Sequence, residues 1–363
     1  MLAGDVMTGR GIDQAFARHA SSELFEPWVR DAREYLELAR QVNGPLPLPI
    51  GHDYVWGEAL AVLEREPPHL RLVNLETAVT SSGRAWPGKG IHYRMHPANV
   101  GVLAAARIDC CVLANNHVMD WGRGGLADTL ATLSGAGIRT AGAGADAEAA
   151  GAPAILPLPG GGRLLVFARG TRSSGVPADW AAGRRPAGVS MVEPDLRSAD
   201  ALAAEVLSAR QPGDLVVVSL HWGENRVARV PDAHRVFARR LIDAGAADLV
   251  HGHSSHHPLP IEVHRGRLIL YGCGDLINDY EGIAPRGEPR SDIGCVYIAA
   301  LARQGGLLGG LRIVPMQLRR FRLSVPDPET VDWLARLLDG GGREFGTSIE
   351  ADPRGGWRLR WPG

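Results

Sequence analysis

The run Ile108-Asp109-Cys110-Cys111-Val112-Leu113 is short and mostly apolar, the length of a buried strand. It stops at Ala114-Asn115-Asn116-His117-Val118-Met119-Asp120-Trp121-Gly122, and a helical pattern starts near Gly124. Two amides, an imidazole and a carboxylate thus fall at the carboxyl end of a strand, just ahead of a helix. Open α/β sheets build their sites at such places. Taken alone, the stretch also reads as a turn with an asparagine helix cap. Other strand ends carry the same kind of chemistry, which weighs against that bland reading.

The flanking sequence alternates in the same way. Leu2 to Val6 reads as a strand missing its first half, so the numbered start is expected to lie a few residues inside the natural strand. A glycine-framed loop, Gly4 to Arg10, follows. Helical periodicity covers Asp31 to Val42 and Tyr54 to Glu64, and Leu70 to Val73 is a short strand delivering Asn74-Leu75-Glu76. Residues Ser81 to Pro97, with Lys89, His92, Tyr93, Arg94 and His96, suit a lid or substrate rim, or equally a solvated connection. Helices are expected over Ala98–Ala106, Gly125–Ser134, Asp195–Ala209, Asp232–Ala244 and Glu329–Leu338. Strands are expected over Leu164–Ala168, Asp214–Leu220, Asp248–Val250, Cys295–Leu301 and Leu307–Pro315, with a hairpin of Ile261–Val263 and Leu268–Tyr271. Gly142-Ala143-Gly144 lacks the downstream acid of a dinucleotide fingerprint and is set aside. Alternation up to about residue 260, with strands dominating later, gives a layered α/β protein with a partly antiparallel second sheet. With no linker visible, residues 1–340 read as a single domain and 341–363 as a C-terminal tail.

Charge and cysteine content narrow the function. Thirty-nine basic and 40 acidic side chains leave a net charge of −1, without the positive field that general nucleic-acid or anionic-membrane binding requires. No basic, apolar leader and no window of ~18 apolar residues is present, so a cytoplasmic location is expected. Cys110, Cys111, Cys273 and Cys295 sit in apolar runs, as buried thiols of a reducing compartment do. They lack zinc-site spacing. A two-thiol racemase using Cys111 and Cys273 is a minor alternative.

Collected by strand end, the polar residues are Asp5, Glu76, Asn116 with His117 and Asp120, His221, His253 with His256, and Asp275. Carboxylate, carboxamide and imidazole are ligands for a divalent cation. Any one of them alone could be structural, and His221 alone reads as a core histidine. Together, in strand-end register, they read as a metal cleft.

The segments Gly4-Asp5-Val6-Met7-Thr8-Gly9-Arg10, Asn74-Leu75-Glu76, Ala114 to Gly122, His221-Trp222-Gly223-Glu224, Gly252-His253-Ser254-Ser255-His256 and Gly272-Cys273-Gly274-Asp275 resemble, in order, the signature of the CapA capsule-biosynthesis family. That family is linked with poly-γ-glutamate and belongs to the calcineurin-like metallophosphoesterase superfamily. The resemblance implies a four-layer α/β/β/α sandwich with two mixed β-sheets and metal at the carboxyl ends of the strands. It also implies Asp5, Glu76, Asn116, His221, His253 and His256 as ligands, with His117, held by Asp120, as the acid/base group.

This sequence departs from the phosphoesterase pattern. The histidine usual two residues after the first aspartate is Met7, the second carboxylate is Glu76, and the final histidines are spaced by three. Fewer imidazoles favour one cation over two, and magnesium, manganese or calcium over zinc. Three chemistries are then expected. The first is acid/base work on a peptide or polyglutamate-type amide, with Arg10, Arg94, His92, Trp222 or Glu224 meeting substrate. The cluster Arg319, Arg320 and Arg322 is a further candidate, read in the first instance as a solvated edge strand. The second is a peptide epimerase, resembling CapA-like proteins that invert a Cα centre. It would use His117 with Asp120, and His253 or His256 with Asp5 or Asp275. The third is phosphoester hydrolysis, by superfamily analogy. A non-catalytic scaffold would have kept the sandwich and lost the cleft.

Overall fold

The central strands Leu2–Val6, Leu72–Leu75, Cys110–Val112, Leu215–His221 and Leu249–His253 are buried along their whole length, and most strands pair into two large mixed sheets, beside two short two-stranded ones, in the computed structural model, which describes residues 1–283 and 290–362. Across the first sheet the order is Ser348–Ala351, Trp357–Arg360, Leu308–Arg319, Ile293–Leu301, Leu2–Val6, Leu72–Leu75, Cys110–Val112 and Arg139–Ala141. Asp275–Ile277 pairs parallel with Leu2–Val6, and Arg322–Ser324 pairs with Leu308–Arg319. The second sheet is Ile261–His264, Arg267–Leu270, Leu249–His253, Leu215–His221, Arg163–Gly170 and Ala154–Pro157.

Alternation along one strand fixes the layers, because successive side chains leave opposite faces of a sheet. Leu215 and Val217 join a core shared with Val73, Leu75 and Val112 of the first sheet. Val216, Val218 and Leu220 face the helices Leu196–Ala209 and Asp232–Asp243, packing on Leu202, Val206 and Phe237. Helices Glu58–Arg65, Gly101–Ala105 and Gly122–Gly135 add Leu63, Leu103 and Leu126 to the shared core. The result is the expected α/β/β/α sandwich. Among the described residues, no helix is long and apolar enough to cross a membrane.

Several boundaries differ from the sequence reading, for local reasons. The helix expected over Tyr54–Glu64 is a 3₁₀ turn, Tyr54–Trp56, then Glu58–Arg65. Gly57 breaks it at φ 44°, where a Cβ would lie 2.1 Å from the Leu323 carbonyl oxygen. The strand expected to stop at Val250 continues to His253, because parallel pairing with Leu215–His221 satisfies its backbone past the apolar residues. The segment 341–363, read as a tail, extends the first sheet by two strands, Ser348–Ala351 and Trp357–Arg360.

Parallel register carries the chemistry to one end of both sheets. Asp5 stands opposite Asp275 and Asn74, and His221 stands opposite His253. The approach of the first strand to Asp275 depends on glycine: a Cβ on Gly4 would lie 1.8 Å from the Gly274 oxygen.

Candidate metal and acid/base site

Three buried carboxylates meet at this end. The Asn74 side-chain amide donates to Asp5 Oδ1 at 2.7 Å and Glu76 Oε2 at 3.2 Å. Asn115 in turn donates to the Asn74 side-chain oxygen at 3.0 Å and the Leu75 carbonyl at 2.8 Å. Asn115 therefore ties the central turn to the second strand, and its neighbour Asn116 reaches His221. Glu76 Oε1 is buried without a hydrogen-bond partner. Burial and the neighbouring carboxylates push Asp5 up to about 7 and Glu76 well above the usual carboxylate range. A buried cluster of acids with an orphaned oxygen calls for a cation.

The histidines say the same through their protons. His251 Nε2 donates to the Ala3 carbonyl at 2.9 Å, so its Nδ1 is bare and accepts from the Ser219 hydroxyl at 3.1 Å. The Ser219 oxygen must then accept from His253 Nε2, 2.9 Å away. His253 Nδ1 is left bare. His221 Nε2 donates to Asn116 Oδ1 at 3.0 Å, so its Nδ1 is bare as well. Desolvation holds both rings well below the usual histidine pKa and therefore neutral. Two lone pairs thus face each other at 2.7 Å, with Asp5 Oδ1 3.8 Å from His253 Nδ1. Asn74, at 3.5 Å, is too distant to satisfy His221. This donor set fits a divalent cation.

Asp5, His221 and His253 form one potential ligand group, and Asp5, His256 and Asp275 a second that shares Asp5. Glu76 and Asn116 belong to neither group. Glu76 Oε1 stands 3.9 Å from His221 Nε2.

Two histidine–carboxylate pairs flank the cluster. His117 Nδ1 meets Asp120 Oδ2 at 2.6 Å, which turns Nε2 toward Glu76 Oε1, 3.8 Å away. Lys89 Nζ lies 2.6 Å from Asp120 Oδ1, and the Tyr93 backbone N–H donates to Asp120 Oδ2 at 2.6 Å. Burial and Lys89 outweigh Asp120 and push His117 down to about 4. His256 Nδ1 meets Asp275 Oδ1 at 2.8 Å. Burial opposes its charge, but Asp275 and Asp5 prevail and raise it to about 9. One ring is therefore neutral and the other charged. His256 and Ser254 also hold left-handed backbone, φ 57° and 88°, a strain that concentrates at functional sites.

Most expected substrate contacts are engaged inside the protein. Arg10 is buried against Asp279 and Glu26 and stacks over Tyr35, 3.7 Å from its centroid, so it is not free to grip a substrate carboxylate. Arg94 lies 3.5 Å over Trp121 and donates to the Ser21 carbonyl. Trp222 is a core residue, stacked on His234 at 4.1 Å with its N–H on the Tyr271 carbonyl. His92 is buried with Nε2 on the Trp86 carbonyl. Glu224 is exposed. Arg319 is exposed and paired with Asp327, on a strand that is not an edge, since Leu308–Arg319 pairs with Ile293–Leu301 on one side and with Arg322–Ser324 and Trp357–Arg360 on the other. Asn74, Lys89, Ser219 and His251 carried no expected role; only the strand-end position of Asn74 and the loop position of Lys89 hinted at one.

The fold and the site together define a four-layer sandwich with carboxylates, carboxamides and imidazoles at the carboxyl ends of its strands. The chain belongs to the family described as bacterial capsule synthesis protein PGA_cap, whose model matches residues 1–280. It is 44% identical over 355 residues, 97% of this chain and 93% of the relative, to a "probable polyglutamine synthesis accessory protein" of Mycobacterium tuberculosis. It is 27% identical over 279 residues to the PGA biosynthesis protein CapA of Bacillus subtilis, covering 77% of this chain and 62% of that protein. A solved phosphatase of Mycoplasma pneumoniae aligns over 77% of this chain and 93% of its own at TM-score 0.44 and 10% identity.

Proposed function

We propose that this protein is a metal-dependent enzyme performing acid/base chemistry on a γ-glutamyl or peptide amide. The reading rests on one observation above all: His117 Nδ1 held on Asp120 Oδ2 at 2.6 Å, leaving Nε2 bare toward the carboxylate cluster. Asp120 fixes the tautomer and orientation of the ring, and Lys89 keeps Asp120 ionised. His117 then takes a proton from a group lying over Glu76, and His256, charged beside Asp275, returns one from the other side. Asp5, His221 and His253 would hold the cation, with His256 and Asp275 beside it. Such a cation would polarise the carbonyl oxygen of the substrate. Two bare imidazoles beside one carboxylate, without Glu76 or Asn116, make this position mostly nitrogen. They favour manganese, iron or zinc over calcium or magnesium at that position. The names of the relatives, which refer to polyglutamine and PGA synthesis, support a polyglutamate-like substrate.

The two histidine–carboxylate pairs also suit a second reading, inversion at Cα, which needs a base and an acid on opposite faces of one carbon. Incubation of the metal-loaded protein with γ-glutamyl oligomers and peptides in deuterium oxide separates the two. Cleavage or transfer products support the amide reading. A one-dalton gain without cleavage supports inversion. If neither occurs, both readings fall and phosphoesters become the substrates to try.

A further inference from the structure

The floor of the cleft is anionic, with Asp5, Glu76, Asp120 and Asp275 all buried there. A substrate bearing carboxylates would be repelled from it unless a cation at the mouth neutralised them. Arg10 and Lys89 are already paired with acids, and Arg94 is stacked on Trp121. Arg226 differs: its side chain is exposed, with no hydrogen-bond or ion-pair partner among the described residues. It follows the strand Leu215–His221 and holds left-handed backbone at φ 59°, which is unfavourable for any residue with a Cβ. Two clasps hold it there: the Arg226 N–H donates to the Ser255 carbonyl at 3.0 Å, and the Ser254 hydroxyl to the Gly223 carbonyl at 3.3 Å. Gly223 is tied in turn to Ser173 at 3.2 Å. The loop is thereby strapped onto the segment that carries His256, near enough for the guanidinium to be felt by that ring.

Resting on the amide-substrate reading, we infer that Arg226 is the specificity-determining residue of the cleft and receives a carboxylate of an anionic γ-glutamyl chain beside His256. Guanidinium and carboxylate make two parallel charge-assisted hydrogen bonds, which lysine cannot reproduce. Strain in the backbone is then the cost of presenting a free guanidinium at the rim. Glu224, exposed on the same loop, disfavours carboxylates placed on its own side.

The test is calorimetric binding of a γ-linked glutamate decamer, and of its γ-linked glutamine counterpart, to the full chain. Arg226→Gln is expected to weaken glutamate-decamer binding about tenfold and Arg226→Lys by less, with rising salt weakening the wild type and Arg226→Lys more than Arg226→Gln. The glutamine decamer is expected to bind weakly and equally to all three proteins. Equal affinity of wild type and Arg226→Gln for the glutamate decamer, with unchanged thermal midpoints, would overturn the assignment of Arg226 alone. If the wild type binds neither oligomer, the amide-substrate reading itself fails, and this inference with it.

Discussion

The Nδ1 atoms of His221 and His253 lie 2.7 Å apart, and the hydrogen bonds around them leave neither with a proton. A cation between them would convert repulsion into coordination. Elemental analysis of dialysed protein is therefore expected to find His253→Ala and Asp5→Ala depleted of metal. Ser219→Ala is the sharper case, because Ser219 is not a ligand and acts only by fixing the His253 tautomer. Its metal affinity is expected to fall about 10–100-fold. Wild-type affinity in that variant would refute the proton assignment.

Glu76 couples metal to stability. Its buried, unpartnered oxygen and its repulsion with Asp5 and Asp275 destabilise the metal-free fold. Glu76→Gln removes the charge while keeping the shape. The metal-free variant is expected to melt roughly 2–4 °C above metal-free wild type. It should gain less than wild type on adding manganese, since ligand-linked stabilisation scales with affinity. A lower melting point without metal would count against a destabilising charge at that position.

His117 is expected to act on the proton and not on the metal. His117→Ala should lower turnover of a γ-glutamyl oligomer by about 10²–10⁴-fold while bound metal stays at the wild-type level. Asp120→Asn should lose turnover too, since an amide can present a donor to Nδ1 and reverse the tautomer. Full activity in His117→Ala would remove it from the chemistry.

His234 sets an acid limit on stability. It stacks on Trp222 at 4.1 Å, its Nδ1 has no partner, and burial lowers its pKa from 6.5 to about 4. A histidine depressed by folding binds its proton more readily unfolded. Its contribution is therefore complete above the unfolded value, near 6.5, and is lost as pH falls toward 4. The loss amounts to about 3 kcal/mol over that window. His234→Phe keeps the ring and removes the proton site. Urea midpoints at pH 7.5 and 5.0 should differ less in the variant than in wild type. An unchanged difference would show that His234 already charges freely in the fold.

Much of the architecture was legible because apolar periodicity is a local signal. The helix expected over Asp232–Ala244 forms as Asp232–Asp243, and the hairpin through His264 and Arg267 forms in register. The strand reaching His253 was cut short in the sequence reading, since polar residues that pair only with a neighbouring strand carry no apolar pattern. The hairpin of Ser348–Ala351 and Trp357–Arg360 reads as a tail for a related reason: what joins it to the sheet is pairing with Leu308–Arg319, well back in the chain.

The sequence by itself determined the kind of chemistry. Acid, amide and imidazole at successive strand ends cannot be buried without partners, so they had to converge on something charged. Tertiary structure alone decided which residues are free to act. Arg10 looks in sequence like a substrate grip and is consumed by Asp279 and Glu26. Arg226, on a loop without any motif, is left exposed beside His256. Ser219 and His251, silent in the sequence, fix the proton that leaves His253 bare. Pairing across tens or hundreds of residues settles where each proton and each counter-charge goes, and no local pattern encodes that.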